Sequence, residues 1–312
     1  MERTAVDRFE ASRGRLASLA YRLLGSAADA EDAVQDTFLR WQAADRARVE
    51  VPEAWLTKVV TRVCLDRLRS AQMRHERAAG AWLPEPLLDG DPMLGPADTV
   101  EQRESVSLAV LLLLERLSPV ERAVYVLREA FSYSHAEVAG ILDITEAASQ
   151  QHAHRARTRV TVERRGGAAA DPASARPVVE EFLAAAVSGR TERLVALLTD
   201  DVTVVSDGAG LSKRLVHHTT PERVASFVRA GFTPTPAKRR LAGGSPAMHL
   251  AQVNGATAVV AVIEGRVVGA VAIEVRDGKV ASLCGVGNAA RLQRLSEAWG
   301  SHASDAPVID AW

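Results

Sequence analysis

Two cysteines in 312 residues, Cys64 and Cys284, leave this chain without the material for a zinc site or a disulfide framework. They fall in different segments of the pattern below, so reduced thiols are expected. Missing too is any uninterrupted apolar stretch long enough to cross a bilayer; the strongest run, Val110 to Leu114, reads as buried helix. With no signal peptide at its start, the chain is expected to be soluble and cytoplasmic, without membrane contact. Charge of one sign is also lacking. Lys plus Arg number 38 against 39 Asp plus Glu, a formal net charge of -1, so adhesion of the whole protein to a polyanion is excluded and local patches must carry any such binding. Acid–base residues show no convergent pair at fixed spacing, so no enzyme, metal or cofactor is read. The length predicts two or three domains.

What is present is a helix-turn-helix pattern. Ser118 caps a helix, Pro119 fits its first turn, and Glu121 completes a capping box. A second short helix is predicted from Ser134 to Leu142, and Asp143-Ile144-Thr145 form the turn before Glu146. In the helix that follows, Ser149, Ala153, Ala156 and Val160 recur at helical spacing and define a packed face. Gln150, Gln151, His154, Arg155 and Arg157 point elsewhere. Gln pairs with adenine and Arg with guanine or phosphate, so these five are candidate DNA contacts.

The amino-terminal quarter adds a second pattern. Ala30, Val34, Thr37, Phe38 and Trp41 form an apolar helix face, while Asp29, Glu31, Asp32, Gln35 and Asp36 crowd the exposed side. Such acidity on a DNA binder points to a protein partner. Further on, Val59, Val60, Val63, Leu65 and Leu68 pack one side of a helix opened by Trp55-Leu56. Lys58, Arg62, Arg67, Arg69, Arg74 and Arg77 outnumber Asp66 and Glu76 along it, giving a basic stripe on a nearly neutral protein.

In this order the two patterns resemble the extracytoplasmic-function sigma factors of bacterial RNA polymerase. The resemblance implies that Asp29, Glu31, Asp32, Gln35 and Phe38 grip the clamp of core polymerase. It assigns Lys58, Arg62, Asp66, Arg67 and Arg69 to the minus-ten element, with the Arg46 to Pro52 loop at the place where a flipped base is captured. Gln150, Gln151, His154, Arg155 and Arg157 fall to the minus-thirty-five element. Asp66 reads equally as an internal ion-pair partner.

Gly80 to Pro92 is too rich in proline and glycine for a long helix and reads as a linker. Its Trp82, Leu83, Leu87 and Leu88 make it too apolar for a solvated tether, so it is expected to dock, either on a helical domain or as a latch on the carboxy-terminal domain. The Trp82-Leu83-Pro84 run resembles the linker of a sigma subgroup with a fused SnoaL-like domain. After a second tether at Gly166 to Pro172, apolar spacing from Val178 to Leu198 predicts a helical hairpin. Val202 to Val205 reads as a short strand and Pro221 to Ala230 as a helix. Strands at His249–Val253, Ala256–Glu264, Arg266–Val275 and Lys279–Val286 are separated by Asn254-Gly255, Glu264-Gly265 and Asp277-Gly278 turns.

The predicted fold is therefore multidomain: two all-α sigma domains, the second with the helix-turn-helix, then an α+β SnoaL-like, NTF2-like cone. The expected boundaries are 1–78 and 106–165 for the sigma domains, with 79–105 between them. A linker at 166–175, the cone at 176–295 and a tail at 296–312 follow. Asp207-Gly208-Ala209-Gly210 resembles the subgroup's glycine-rich loop, and Asn288 opens a segment similar to another of its motifs. Trp82, Leu83, Pro84, Asp207, Gly208, Gly210 and Asn288 are thus the candidate regulatory contacts, with helix capping by Asn288 as an alternative. Asp207, His217, His218 and His249 are possible acid–base groups, since some SnoaL-like relatives are enzymes; exposed or hydrogen-bonded histidines are the alternative. The reading is a sigma factor modulated in cis. The alternatives are a DNA-binding regulator whose cone domain binds or turns over a small molecule, and a repressor acting without polymerase.

Overall fold

The computed structural model describes residues 5–75, 82–95, 105–164, 170–208, 215–302 and 304–310. Contacts divide the chain into two units. One comprises Met1–Ala78, Gly90–Val106 and Val110–Arg164, the other Ala79–Asp89, Ser107–Ala109 and Arg165–Trp312.

In the first unit, α1 (Ala5–Leu24), α2 (Ala27–Ala43) and α3 (Pro52–His75) pack together. Phe9, Leu16, Leu19 and Leu23 of α1 are buried; each such side chain withdrawn from water contributes about 1.5–3 kcal/mol. Gly25, at φ 63°, ends α1, and its N–H reaches the Tyr21 carbonyl at 2.7 Å. Ser26 then caps α2 by accepting from the Asp29 N–H at 3.3 Å. The Trp41 indole donates to the Ala5 carbonyl at 2.8 Å, tying the end of α2 to the start of α1.

The same unit holds α4 (Leu108–Leu114) from Val110 onward, α5 (Pro119–Glu129), α6 (His135–Leu142) and α7 (Glu146–Arg164). Both α5 and α6 begin with complete capping boxes, Ser118 with Glu121 and Ser134 with Glu137. Helix α6 ends at Asp143, in the left-handed conformation at φ 54°, ψ 48°. Ser149, Ala153, Ala156 and Val160 are all buried, so the packed face of α7 is the one its spacing predicts. Single turns of 3-10 helix stand at Arg46–Arg48 and Pro92–Leu94.

The second unit is an α+β fold. Helices α8 (Pro172–Val187), α9 (Thr191–Ala196), α10 (Pro221–Phe232), α11 (Pro236–Ala242) and α12 (Ala289–Trp299) accompany strands β1 (Leu198–Ser206), β2 (Val216–His218), β3 (Ala247–Val253), β4 (Ala256–Ile263), β5 (Arg266–Arg276) and β6 (Lys279–Val286). The sheet runs β2-β1-β6-β5-β4-β3, with β1 and β6 parallel and every other neighbouring pair antiparallel. Val179, Phe182, Leu183, Val224 and Val228 of the helices close on Leu250, Val259, Ile273 and Leu283 of the sheet. All three turn pairs take positive φ at both residues, the geometry that matches the strand twist in a two-residue hairpin.

Three sequence expectations are corrected here. Leu198 does not close the helical hairpin; it opens β1 and pairs with Val280 of β6, because α9 stops at Ala196. The Val202 to Val205 run is the middle of a nine-residue strand. Helix α11, absent from the expectation, is capped by Thr235 and closed by Gly243.

Candidate nucleic-acid interface

On α7, Gln150, Gln151 and His154 are exposed along the side opposite the packed face. Arg155 and Arg157 are exposed as well, but each is engaged. Arg155 Nε donates to Glu121 Oε1 at 3.0 Å and Arg159 Nη1 to Glu121 Oε2 at 2.9 Å, while Arg157 reaches Glu129 at 2.8 Å. Glu121 is buried and also accepts from the Ser118 N–H and hydroxyl. Burial pushes its pKa up, but the Ser118 bonds and the two arginines outweigh that and hold it below the ordinary carboxylate value. One carboxylate thus closes the capping box of α5 and fixes the rotation of α7. His135 Nδ1 lies 2.9 Å from Ser149 Oγ and braces α6 on α7.

On α2, Asp29, Glu31, Asp32 and Gln35 are exposed, and half-buried Phe38 stands against Phe9 with ring centroids 4.8 Å apart. The predicted basic stripe of α3 divides three ways. Arg67 turns toward α2, donating to Asp36 at 2.8 Å with Asp32 and Asp29 at 3.7 and 3.8 Å. Burial lowers its pKa, and Asp36, Asp32 and Asp29 more than reverse that. Asp66 pairs with Arg69 at 3.5 Å, the internal partnership the sequence left open. Lys58 and Arg62 both meet Asp143, at the end of α6. The side chain of Arg74, and all of Arg77, lie outside the described residues.

In the second unit, the Trp82–Asp89 segment docks on the sheet. Leu83 and Leu87 are buried, and the Arg291 guanidinium lies 5.1 Å from the Trp82 ring centroid. Leu87 N donates to Asn254 Oδ1 at 2.7 Å, Asn254 N to Leu87 O at 2.9 Å, and Asp89 N to Gln252 O at 3.0 Å. Leu88 and Val253 form an antiparallel bridge. The segment therefore extends the sheet at the outer edge of β3. Pro84 is buried with it.

Asp207 and Asn288 are joined. The Asp207 carboxylate accepts from the Gly287 and Asn288 N–H groups at 2.9 Å each, and Asn288 Oδ1 caps α12 through the Ala290 N–H at 3.0 Å. Gly208, at φ 63°, donates to Ser206 Oγ; Gly210 lies outside the described residues. The groups weighed for acid–base work do not converge. His218 meets the edge of Phe227, whereas His249 packs on Trp299 and bonds the Asp305 carbonyl.

The sequence matches Sigma-70 region 2 over residues 8–74 and Sigma-70 region 4 over residues 107–160. It is 40% identical over 292 residues to the ECF RNA polymerase sigma factor SigJ of Mycobacterium tuberculosis, covering 91% of each chain. The chain belongs to the ECF sigma-factor family. The crystal structure of M. tuberculosis SigJ superposes with a TM-score of 0.68 at 35% identity, covering 93% of this chain and 98% of that one. A probable ECF sigma factor SigI of the same species is 36% identical over 199 residues, covering 62% of this chain and 67% of that one.

In this sigma factor, then, region 2 comprises α1 to α3, and region 4 the helices from α4 into α7. Sequence reasoning missed Glu121 as the brace of α7, Asp143 as the partner of Lys58 and Arg62, and Asn254 as the receptor for Leu87. The first carried one signal: a glutamate at the third position of a capping box is held in a known place. The other two partnerships span 85 and 167 residues, beyond the reach of local pattern. Among the described residues no helix is long and apolar enough to cross a membrane.

Proposed function

We propose that this sigma factor binds the clamp of core RNA polymerase through Asp29, Glu31, Asp32, Gln35 and Phe38. In this reading it contacts the minus-ten element through Lys58, Arg62 and Arg69 of α3, and the minus-thirty-five element through Gln150, Gln151 and His154 of α7. Arg67 orders the acidic face of α2, and Arg155 with Arg157 sets the rotation of α7. The carboxy-terminal domain acts in cis by holding the Trp82–Asp89 segment rather than by catalysis. The docking of Leu87 on Asn254 carries that last part, because it makes the linker a piece of the regulatory domain's own sheet.

The minus-thirty-five assignment is tested by replacing Gln150 and Gln151 with alanine. Each bidentate base contact contributes about 1–3 kcal/mol of discrimination, so transcription by the reconstituted holoenzyme should fall at the cognate promoter. Melting of the protein should not change, since both side chains are exposed. Undiminished promoter selectivity in the double variant would remove these residues from the reading.

A further inference from the structure

Asp143 stands where local physical chemistry disfavours it. It takes the left-handed conformation that glycine or asparagine adopts most readily, and it places a carboxylate at the negative end of the α6 dipole. What offsets both costs lies on α3. Lys58 Nζ donates to Asp143 Oδ1 at 2.5 Å and to the Gly140 carbonyl at 2.8 Å, while Arg62 donates to Asp143 Oδ2. Lys58 and Arg62 are one helical turn apart on one face. The end of α6 thus presents to them a carboxylate and a carbonyl of its last turn, much as a phosphodiester presents two oxygens.

Burial and then the like charge of the neighbouring Arg62 lower the pKa of Lys58. A second set of contacts closes the same interface. Arg15 Nη2 donates to the Tyr133 hydroxyl at 2.6 Å, which in turn donates to Thr57 Oγ1 at 3.3 Å, and the Arg15 guanidinium lies 5.1 Å from the Tyr133 ring centroid. Tyr133 belongs to the connection between α5 and α6.

We infer that Asp143 occupies the phosphate-binding positions of Lys58 and Arg62, so that the helix-turn-helix domain blocks the minus-ten surface until promoter DNA displaces it. This rests on the reading that Lys58 and Arg62 contact promoter DNA. The same two cations cannot hold Asp143 and a phosphate together, so DNA and the closed arrangement compete. Lys58, Arg62 and Asp143 side chains are a third to a half exposed. Pairs of that kind are individually weak and salt-sensitive, so the contact releases when a polyanion arrives.

The test measures binding of the full chain to a single-stranded oligonucleotide carrying the minus-ten element, by fluorescence anisotropy at low and high salt. Asp143→Asn removes the charge and keeps a residue suited to the left-handed turn; Asp143→Gly does the same with the residue most favoured there. Both should bind about ten-fold tighter at low salt, the gain shrinking as salt rises. In a Lys58→Ala, Arg62→Ala background the gain should vanish. If Asp143→Asn and Asp143→Gly bind as the parent does while Lys58→Ala, Arg62→Ala weakens binding, the block is overturned and the promoter contacts stand. If Lys58→Ala, Arg62→Ala has no effect either, the contact reading and the block fall together.

Discussion

Replacing Asn254 with alanine is expected to destabilise the carboxy-terminal unit by about 2–5 kcal/mol and to release the linker. Two costs add. The buried Leu87 N–H loses the Asn254 Oδ1 acceptor, and an unsatisfied buried donor costs about 1–3 kcal/mol. Asn254 also sits at φ 52°, where an ordinary side chain costs roughly 1–2 kcal/mol more than in its preferred region. In calorimetry the transition of this unit should fall by about 5–12 °C, and proteolysis should cleave within Trp82–Asp89. The sharper control is Asn254→Gly, which keeps the left-handed turn but gives Leu87 N no acceptor; it should recover the backbone part of the loss and keep the hydrogen-bond part. Equal melting of Asn254→Ala and the parent would mean that the docked segment contributes nothing.

The second large effect is expected at Arg22, which anchors the other half of the linker. Its guanidinium donates to the Leu94 carbonyl at 2.9 Å, to Ser105 Oγ at 2.9 Å and to the Ser18 carbonyl at 3.3 Å, and lies 5.5 Å from the Phe131 ring centroid. Burial lowers its pKa to about 10, the mark of a charge taken out of water and held by fixed acceptors. Arg22→Met keeps the aliphatic stem but removes the donors to the Leu94 carbonyl and to Ser105 Oγ. Leaving a buried carbonyl without its donor in this way costs about 1–3 kcal/mol, and the loss should appear in the helical transition rather than that of the carboxy-terminal unit. Gly95 records how tight this site is: at φ 69°, a Cβ there would lie 2.5 Å from Ser18 Oγ.

These two anchors lie close in sequence. Asp89 is hydrogen-bonded to Gln252, and Asp91 caps the Pro92–Leu94 turn by accepting from Met93 N at 2.9 Å. Gly90, at φ 89°, stands alone between them. The linker is thus divided between the two units at one residue of unusual backbone geometry.

Much of this was legible in the sequence because its signals are local. Capping boxes at Ser118 and Ser134, the packed face of α7 and the glycine turns between strands each depend on residues a few positions apart. The apolar linker betrayed its docking by composition, yet its partner did not show, since Asn254 reads as nothing more than a turn residue. The ion-pair partners of the basic stripe of α3 did not show for the same reason. Arg67 looks like Lys58 and Arg62 in a helical pattern, but only the tertiary fold brings Asp36 within 2.8 Å of it. Likewise the bond from Arg155 to Glu121 joins residues 34 apart, beyond the reach of local pattern. Leu198 failed because two consecutive leucines fit the end of an amphipathic helix as well as the start of a buried strand.

The most direct measurement is transcription in vitro with core polymerase and a library of promoters, comparing the full chain with one truncated after Arg165. The account predicts specific initiation by the full chain, and a different promoter profile or output once the carboxy-terminal unit and its hold on Trp82–Asp89 are gone. Identical profiles would contradict regulation in cis. Failure of both chains to initiate, with a control sigma factor active on the same core, would contradict the assignment of the interface itself.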